Sequence, residues 1–282
     1  MQWRRRRDHA DDGWTGEVSS GFALAGFLFL VFVGFTLLAM GPLISIDTYL
    51  NLDPAPHGWL PFLHVLDRIG QRAVCLPILA VVTVIACRHR RTWRPVVVVA
   101  CSVFTLNLIV LIFKVLLGRG QPEAANPAFF VGGMAYPSGH TSNIVLVYGL
   151  VAYLLADYRR VSRHVAVGLW SLVGLLSVTM VVTSLTLNWH WFADLIAGLL
   201  VGGSVLQLTA AVDHAVPDDA IAGGPRELLA RGRRLMSRGP QPAAAARAPQ
   251  RPAAGPPTPP ERQEQPAPDP APPRPVLPRQ DA

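Results

Sequence analysis

The sequence predicts an all-α polytopic membrane protein, with six transmembrane helices and a disordered C-terminal tail. Three observations predict it. The 282-residue chain is 51% hydrophobic but only 15% charged, whereas soluble globular chains carry about 25% charged residues. The charges are bunched, leaving uncharged runs of bilayer length. Arginines gather in every second connection, as in a chain threaded back and forth through a membrane.

Four runs have the length and purity of spans: Ser20–Met40, Val96–Phe113, Val165–Leu187 and Trp191–Val212. Two shorter ones, Ala73–Cys87 and Thr141–Ala156, extend through their flanks. The run from Ala73 is short for a bilayer, so Arg72 must snorkel or neighbouring helices must shield it. The bland reading, buried core helices, fails because six of them leave too little polar surface for a soluble fold. Residues 1–19 form a basic N-terminus, 20–212 the membrane domain and 213–282 the tail. The first span is too long for a cleaved signal peptide and lacks a small-residue cleavage site, so it reads as an anchor.

Arg4–Arg7, Arg88–Arg94, Arg159–Arg163 and Arg226–Arg238 mark the cytoplasmic side, which places both termini there. The connections 41–72 and 114–140, and the turn before Trp191, are then extracytoplasmic. The net charge of +7 follows from this bias and the tails, and no soluble basic module points to nucleic acid. Cys75 falls near the outer face while Cys87 and Cys101 fall toward the inner one, so no disulfide framework or zinc spacing emerges. The tail is rich in proline, alanine and arginine, cannot bury a core and has polyproline II character. Within it, Gly224–Arg238 fits either a basic helix on the membrane surface or a solvated linker.

Chemistry concentrates at the outer ends of the spans. Lys114 is the one lysine among 25 basic residues. An interfacial cation that merely snorkels would serve equally well as arginine, but a compact ammonium suits a point contact with phosphate. In Pro137-Ser138-Gly139-His140, the proline closes the loop, Ser138 can cap a helix and Gly139 admits a ligand close to the backbone. The helix starting there aims amide groups at an anion, and His140 can donate or accept a proton. As a bare string this motif is weak, since many turns enter helices in this way.

His190 and Asp194 share one helix face at spacing i, i+4. An aspartate within a span is a functional hypothesis by default. Bonded to one imidazole nitrogen, it leaves the other nucleophilic. A structural interhelical pair and a zinc site are the competing readings, and the nearby lysine and arginine would repel a metal cation. Trp189 and Trp191 fit an interfacial aromatic belt. Asp47, Asp53, His57, His64 and Asp67 read as solvated loop residues.

Together these motifs resemble the integral-membrane branch of the type 2 phosphatidic acid phosphatase family. That family carries a lysine, six residues and Arg-Pro; then PSGH; then Ser-Arg, five residues, His, three residues and Asp. The match spans about residues 95–205. The resemblance implies His190 as nucleophile, Asp194 as its orienter and His140 as general acid. It also implies that Ser138, Gly139 and Lys114 hold phosphate oxygens, and that neither cofactor nor metal takes part. Two positions depart: Gln121 stands for the arginine of the first motif and Ser184 for that of the third. Arg119 is expected to swing into the vacant place, with Gln121 and Ser184 giving neutral hydrogen bonds.

The expected function is hydrolysis of a lipid-linked phosphate or polyprenyl diphosphate at the extracytoplasmic face, through a phosphohistidine. A non-catalytic protein that binds phospholipid or polyprenyl-phosphate headgroups is one alternative. A phosphotransferase using the same histidine is another.

Overall fold

The structure, a computed structural model, describes residues 11–51 and 55–217, with side chains from residue 18 onward. The described residues are helical, without a strand. Six segments are long and apolar enough to cross a bilayer: Val18–Ala39, Leu60–Arg90, Arg94–Ala124, Gly139–Tyr158, Arg163–Thr186 and Phe192–Ala215. The chain is a multi-pass membrane protein. Residues 218–282 of the tail, including 224–238, lie outside the described residues, as does Asp53.

The second span departs from the sequence expectation of a short helix. A separate helix, Leu60–Arg68, precedes Arg72–Arg90 and completes a membrane-length segment. Its apolar residues recur at helical spacing, interrupted by His64 and Asp67, which hides it from a search for continuous apolar runs. A second short helix, Ile44–Tyr49, also lies in the connection expected to be loop. At the break between Leu60–Arg68 and Arg72–Arg90, Tyr148 Oη donates to the Ile69 carbonyl at 3.0 Å.

The fourth and sixth spans form the centre. Their most apolar windows are 61% and 50% buried, against 11–28% for the other four. Lipid has no hydrophobic drive to press helices together, so close contact depends on small residues. Gly198 and Gly202, spaced GxxxG on the sixth span, supply it. A Cβ at Gly198 would stand 2.7 Å from the Ser138 carbonyl oxygen, and one at Gly202 would stand 2.8 Å from that of Ser142. The start of the fourth span is thereby pressed onto the start of the sixth, and the Ser138 amide donates to the Asp194 carbonyl at 2.9 Å.

Phe32, Leu79, Leu106, Leu146, Leu150, Leu154 and Val201 fill the core. Phe27, Leu30, Leu37, Val81, Leu111, Leu175 and Val182 lie exposed around the outside, where lipid would meet them. At the end carrying the arginine-rich connections, Asp213 is buried. It accepts from Arg94 Nε at 2.6 Å, from Tyr153 Oη at 2.6 Å and from Tyr158 Oη at 2.8 Å. The sixth span therefore continues to Ala215, and Asp213 belongs to the membrane domain rather than the tail. Cys75 is buried, and Cys75, Cys87 and Cys101 are all free.

Candidate active site

At the opposite end, a cavity of about 620 Å³ opens between the connections. Lys114, Gln121, Gly139, His140 and His190 line it, together with Gly70, Gln71, Arg72, Glu123, Met134, Asn143 and Trp189. Residues separated by up to 120 positions thus meet at one surface. Each arrives by a local cause.

Lys114 stands in the last turn of the third span, which stops at Gly118 in the left-handed conformation (φ 48°). A side chain there would be strained, and the Gly118 amide returns to the Lys114 carbonyl at 3.0 Å. The Lys114 ammonium donates to the Met134 carbonyl. Ser138 caps the fourth span: its Oγ accepts from the Thr141 amide at 3.5 Å and the Thr141 hydroxyl at 3.0 Å. Ser138 is wholly buried and lies off the cavity wall, whereas Gly139 and His140 are on it.

His190 is not on the sixth helix, which starts at Phe192. It occupies the preceding turn, and Asp194, at the third helical position, reaches back toward it. Asp194 Oδ2 accepts the Trp191 amide at 3.0 Å and stands 3.5 Å from His190 Nδ1. The pairing read from the i, i+4 spacing is present, but a helix-capping geometry creates it instead of a shared helix face. The other ring nitrogen of His190, Nε2, is left for the cavity.

His140 has its own carboxylate. Its Nε2 lies 3.7 Å from Asp67 Oδ2, which also accepts from Gln71 Nε2 at 3.0 Å. Asp67 Oδ1 is buried without a hydrogen bond. Asp67 is only 1% exposed, so the reading of it as a solvated loop residue is corrected: it ends the Leu60–Arg68 helix facing inward. No motif flags it, because its partner lies 73 residues away.

Asp47, also read as solvated, is buried too, and so is Arg119. Arg119 does not swing into the cavity. Its Nη1 donates to Asp194 Oδ1 at 2.6 Å, its Nη2 to Asp47 Oδ2, and its Nε to the Pro127 carbonyl at 3.2 Å. Its guanidinium also lies 4.7 Å from the Phe129 ring centroid. Every nitrogen that could reach a phosphate is engaged, and two carboxylates hold it behind His190. Asp47 Oδ1 takes the Ala193 amide at 2.8 Å. Burial pushes the Asp47 carboxyl above its usual range, and the bonds from Arg119 and Ala193 draw it back down.

Ser184 is likewise no phosphate donor in this geometry. It is 1% exposed, off the cavity wall, and its hydroxyl donates to Met180 Sδ at 3.6 Å. Trp191 is buried, its Nε1 bonded to the Gly120 carbonyl at 2.8 Å, and so is not part of an interfacial belt. Trp189 lines the cavity and stacks on His64 with ring centroids 5.7 Å apart. His57 is exposed, whereas His64, read as a loop residue, is exposed on the Leu60–Arg68 helix.

A bundle of six membrane helices, with two carboxylate-paired histidines and a lysine around one cavity, defines a class of membrane protein suited to phosphoryl chemistry. Residues 91–217 match the PAP2 superfamily. That match supports the resemblance to the integral-membrane branch of the PAP2 family. It is 24% identical over 153 residues to phosphatidylglycerophosphatase B of Bacillus subtilis (strain 168), covering 54% of this chain and 73% of that protein. Its fold is similar to the crystal structure of the first transmembrane PAP2 type phosphatidylglycerolphosphate phosphatase from Bacillus subtilis. The TM-score is 0.59 at 20% identity, over 69% of this chain and 98% of that one.

Proposed function

We propose that this protein hydrolyses a lipid-linked phosphate through a phosphohistidine on His190, at the extracytoplasmic face. One observation carries the reading: His190 and His140 face the same cavity as Lys114, each with a buried carboxylate beside it. Asp194 Oδ2 stands 3.5 Å from His190 Nδ1, which makes no hydrogen bond in this structure, and Nε2 is the nitrogen that attacks phosphorus. As the N–P bond forms, the ester P–O bond breaks and His140 gives its proton to the departing lipid alkoxide. Asp67 Oδ2 stands 3.7 Å from His140 Nε2, beside the proton donor. Water then attacks the phosphohistidine, His140 takes a proton from it, and inorganic phosphate leaves with His190 restored. Lys114 and the Gly139 amide hold nonbridging oxygens, stabilising the charge of the transition state. No step calls for a metal.

The substrate class follows from the surroundings. The cavity lies at one end of a lipid-facing bundle, and the matched relative is named for a lipid phosphate. Sidedness follows from the arginine-rich connections, which occupy the other end. The test is to trap labelled phosphate on the purified protein during turnover of a phosphatidate-type lipid. Label and phosphate release should both vanish in His190→Ala. Full turnover in that variant would sink the covalent mechanism, and binding without release would identify a headgroup-binding protein.

A further inference from the structure

The cavity is short of cations for a site that must hold a phosphate. Gln121 replaces one motif arginine, Ser184 is buried away from the wall, and Arg119 is committed to Asp47 and Asp194. That leaves Lys114 from the motifs, facing a wall that also carries Glu123. One further cation lines the cavity: Arg72, the first residue of the second span's main helix.

Three features set Arg72 apart from a snorkelling interfacial arginine. It lines the same cavity as Lys114, His140 and His190. Among the described residues it has no hydrogen-bond or ion-pair partner, and no contact within 4.0 Å joins it to Glu123. It also sits at a helix N-terminus, where a cation opposes the helix dipole, so helix stability gives no reason for it.

Its backbone is fixed by the site itself. The preceding break is bonded through Ile69 to Tyr148, and a Cβ on Gly70 would lie 3.2 Å from His140 Cβ. Gln71, beside it, is bonded to Asp67. An arginine held there presents a planar donor fork to a tetrahedral oxyanion.

We propose that Arg72 binds a nonbridging oxygen of the substrate phosphate, supplying from the second span the cation that the motif position at 121 lacks. This rests on the phosphatase reading above. The ligand class is a phosphate monoester dianion at the end of a lipid.

The test measures competition by orthovanadate, and direct binding of inorganic phosphate, on the full-length protein in detergent. Arg72→Gln should weaken both about ten- to a hundredfold, the loss of one charged hydrogen bond, with an unchanged melting temperature. Arg72→Lys should recover part of this. Gln121→Arg should restore much of the loss in the Arg72→Gln background and gain little alone, because two groups serving one oxyanion are not additive. Unchanged phosphate and vanadate binding in folded Arg72→Gln would overturn the proposal and leave the phosphatase reading intact. Full turnover in His190→Ala would overturn that reading instead, and the phosphate isotherm would still score Arg72.

Discussion

Arg119 Nη1 bonds Asp194 Oδ1 at 2.6 Å, while the other oxygen of Asp194 stands 3.5 Å from His190 Nδ1. The arginine therefore acts one residue removed from the histidine. With Asp47 it forms a buried acid–base–acid cluster that fixes the Asp194 carboxylate beside the imidazole. Breaking such a cluster leaves uncompensated buried charge, which is strongly destabilising.

Arg119→Ala leaves Asp47 and Asp194 facing one another without a cation. We expect a loss of about 3–5 kcal/mol of stability, read as a lower melting temperature in detergent. Gln121→Arg should not restore it, because position 121 lies on the cavity wall and not behind His190. Recovery by that second change would place Arg119 at the phosphate after all.

Asp67→Asn keeps the shape of the side chain and removes its charge from beside His140. If Asp67 serves the proton donor, turnover of an alkyl phosphate should fall roughly ten- to a hundredfold, within the range of general acid catalysis. A nitrophenyl ester, whose leaving group needs little protonation, should be affected far less. An equal loss on both esters would reduce Asp67 to a structural role.

Asp213→Ala removes the acceptor shared by Arg94, Tyr153 and Tyr158 at the far end of the bundle. Loss of the carboxylate that compensates buried Arg94 again predicts about 3–5 kcal/mol of destabilisation. Turnover per folded molecule should stay near native, since the active cavity lies at the other end. Thermal melts combined with active-site titration separate the two quantities, and a selective loss of turnover would couple the ends.

Sidedness is open to direct labelling. In a chain whose Cys75, Cys87 and Cys101 are replaced by alanine, Ala124→Cys should react with an impermeant maleimide on intact cells. His89→Cys should react only after permeabilisation. The reverse pattern would invert the topology and move the site to the cytoplasmic face.

What the sequence by itself determined is what adds up locally. Hydropathy is a sum over neighbouring residues, so five of the six spans emerge from it almost directly, and arginine bias supplies an orientation. Lys114, Gly139, His140 and His190 are legible because each motif is short and its chemistry is carried by adjacent or regularly spaced residues. The second span was legible only in part, because polar residues within Leu60–Arg68 break its apolar run. Those same polar residues include the partner of His140.

Only the tertiary structure decided which charges meet. Arg119, two residues from Gln121, is on spacing alone the natural substitute for a lost phosphate clamp. The packing of the connection 119–138 against the sixth span turns it instead toward Asp47 and Asp194, because a buried guanidinium must satisfy its donors where carboxylates are available. Asp47, Asp67 and Arg72 come from a stretch with no motif, and the fold sets Arg72 on the cavity wall, Asp67 beside His140 and Asp47 against Arg119. Pairings across 70 to 150 residues leave no periodicity in a single sequence. They exist because burying a charge in a lipid-surrounded bundle is costly until another charge or a ligand meets it.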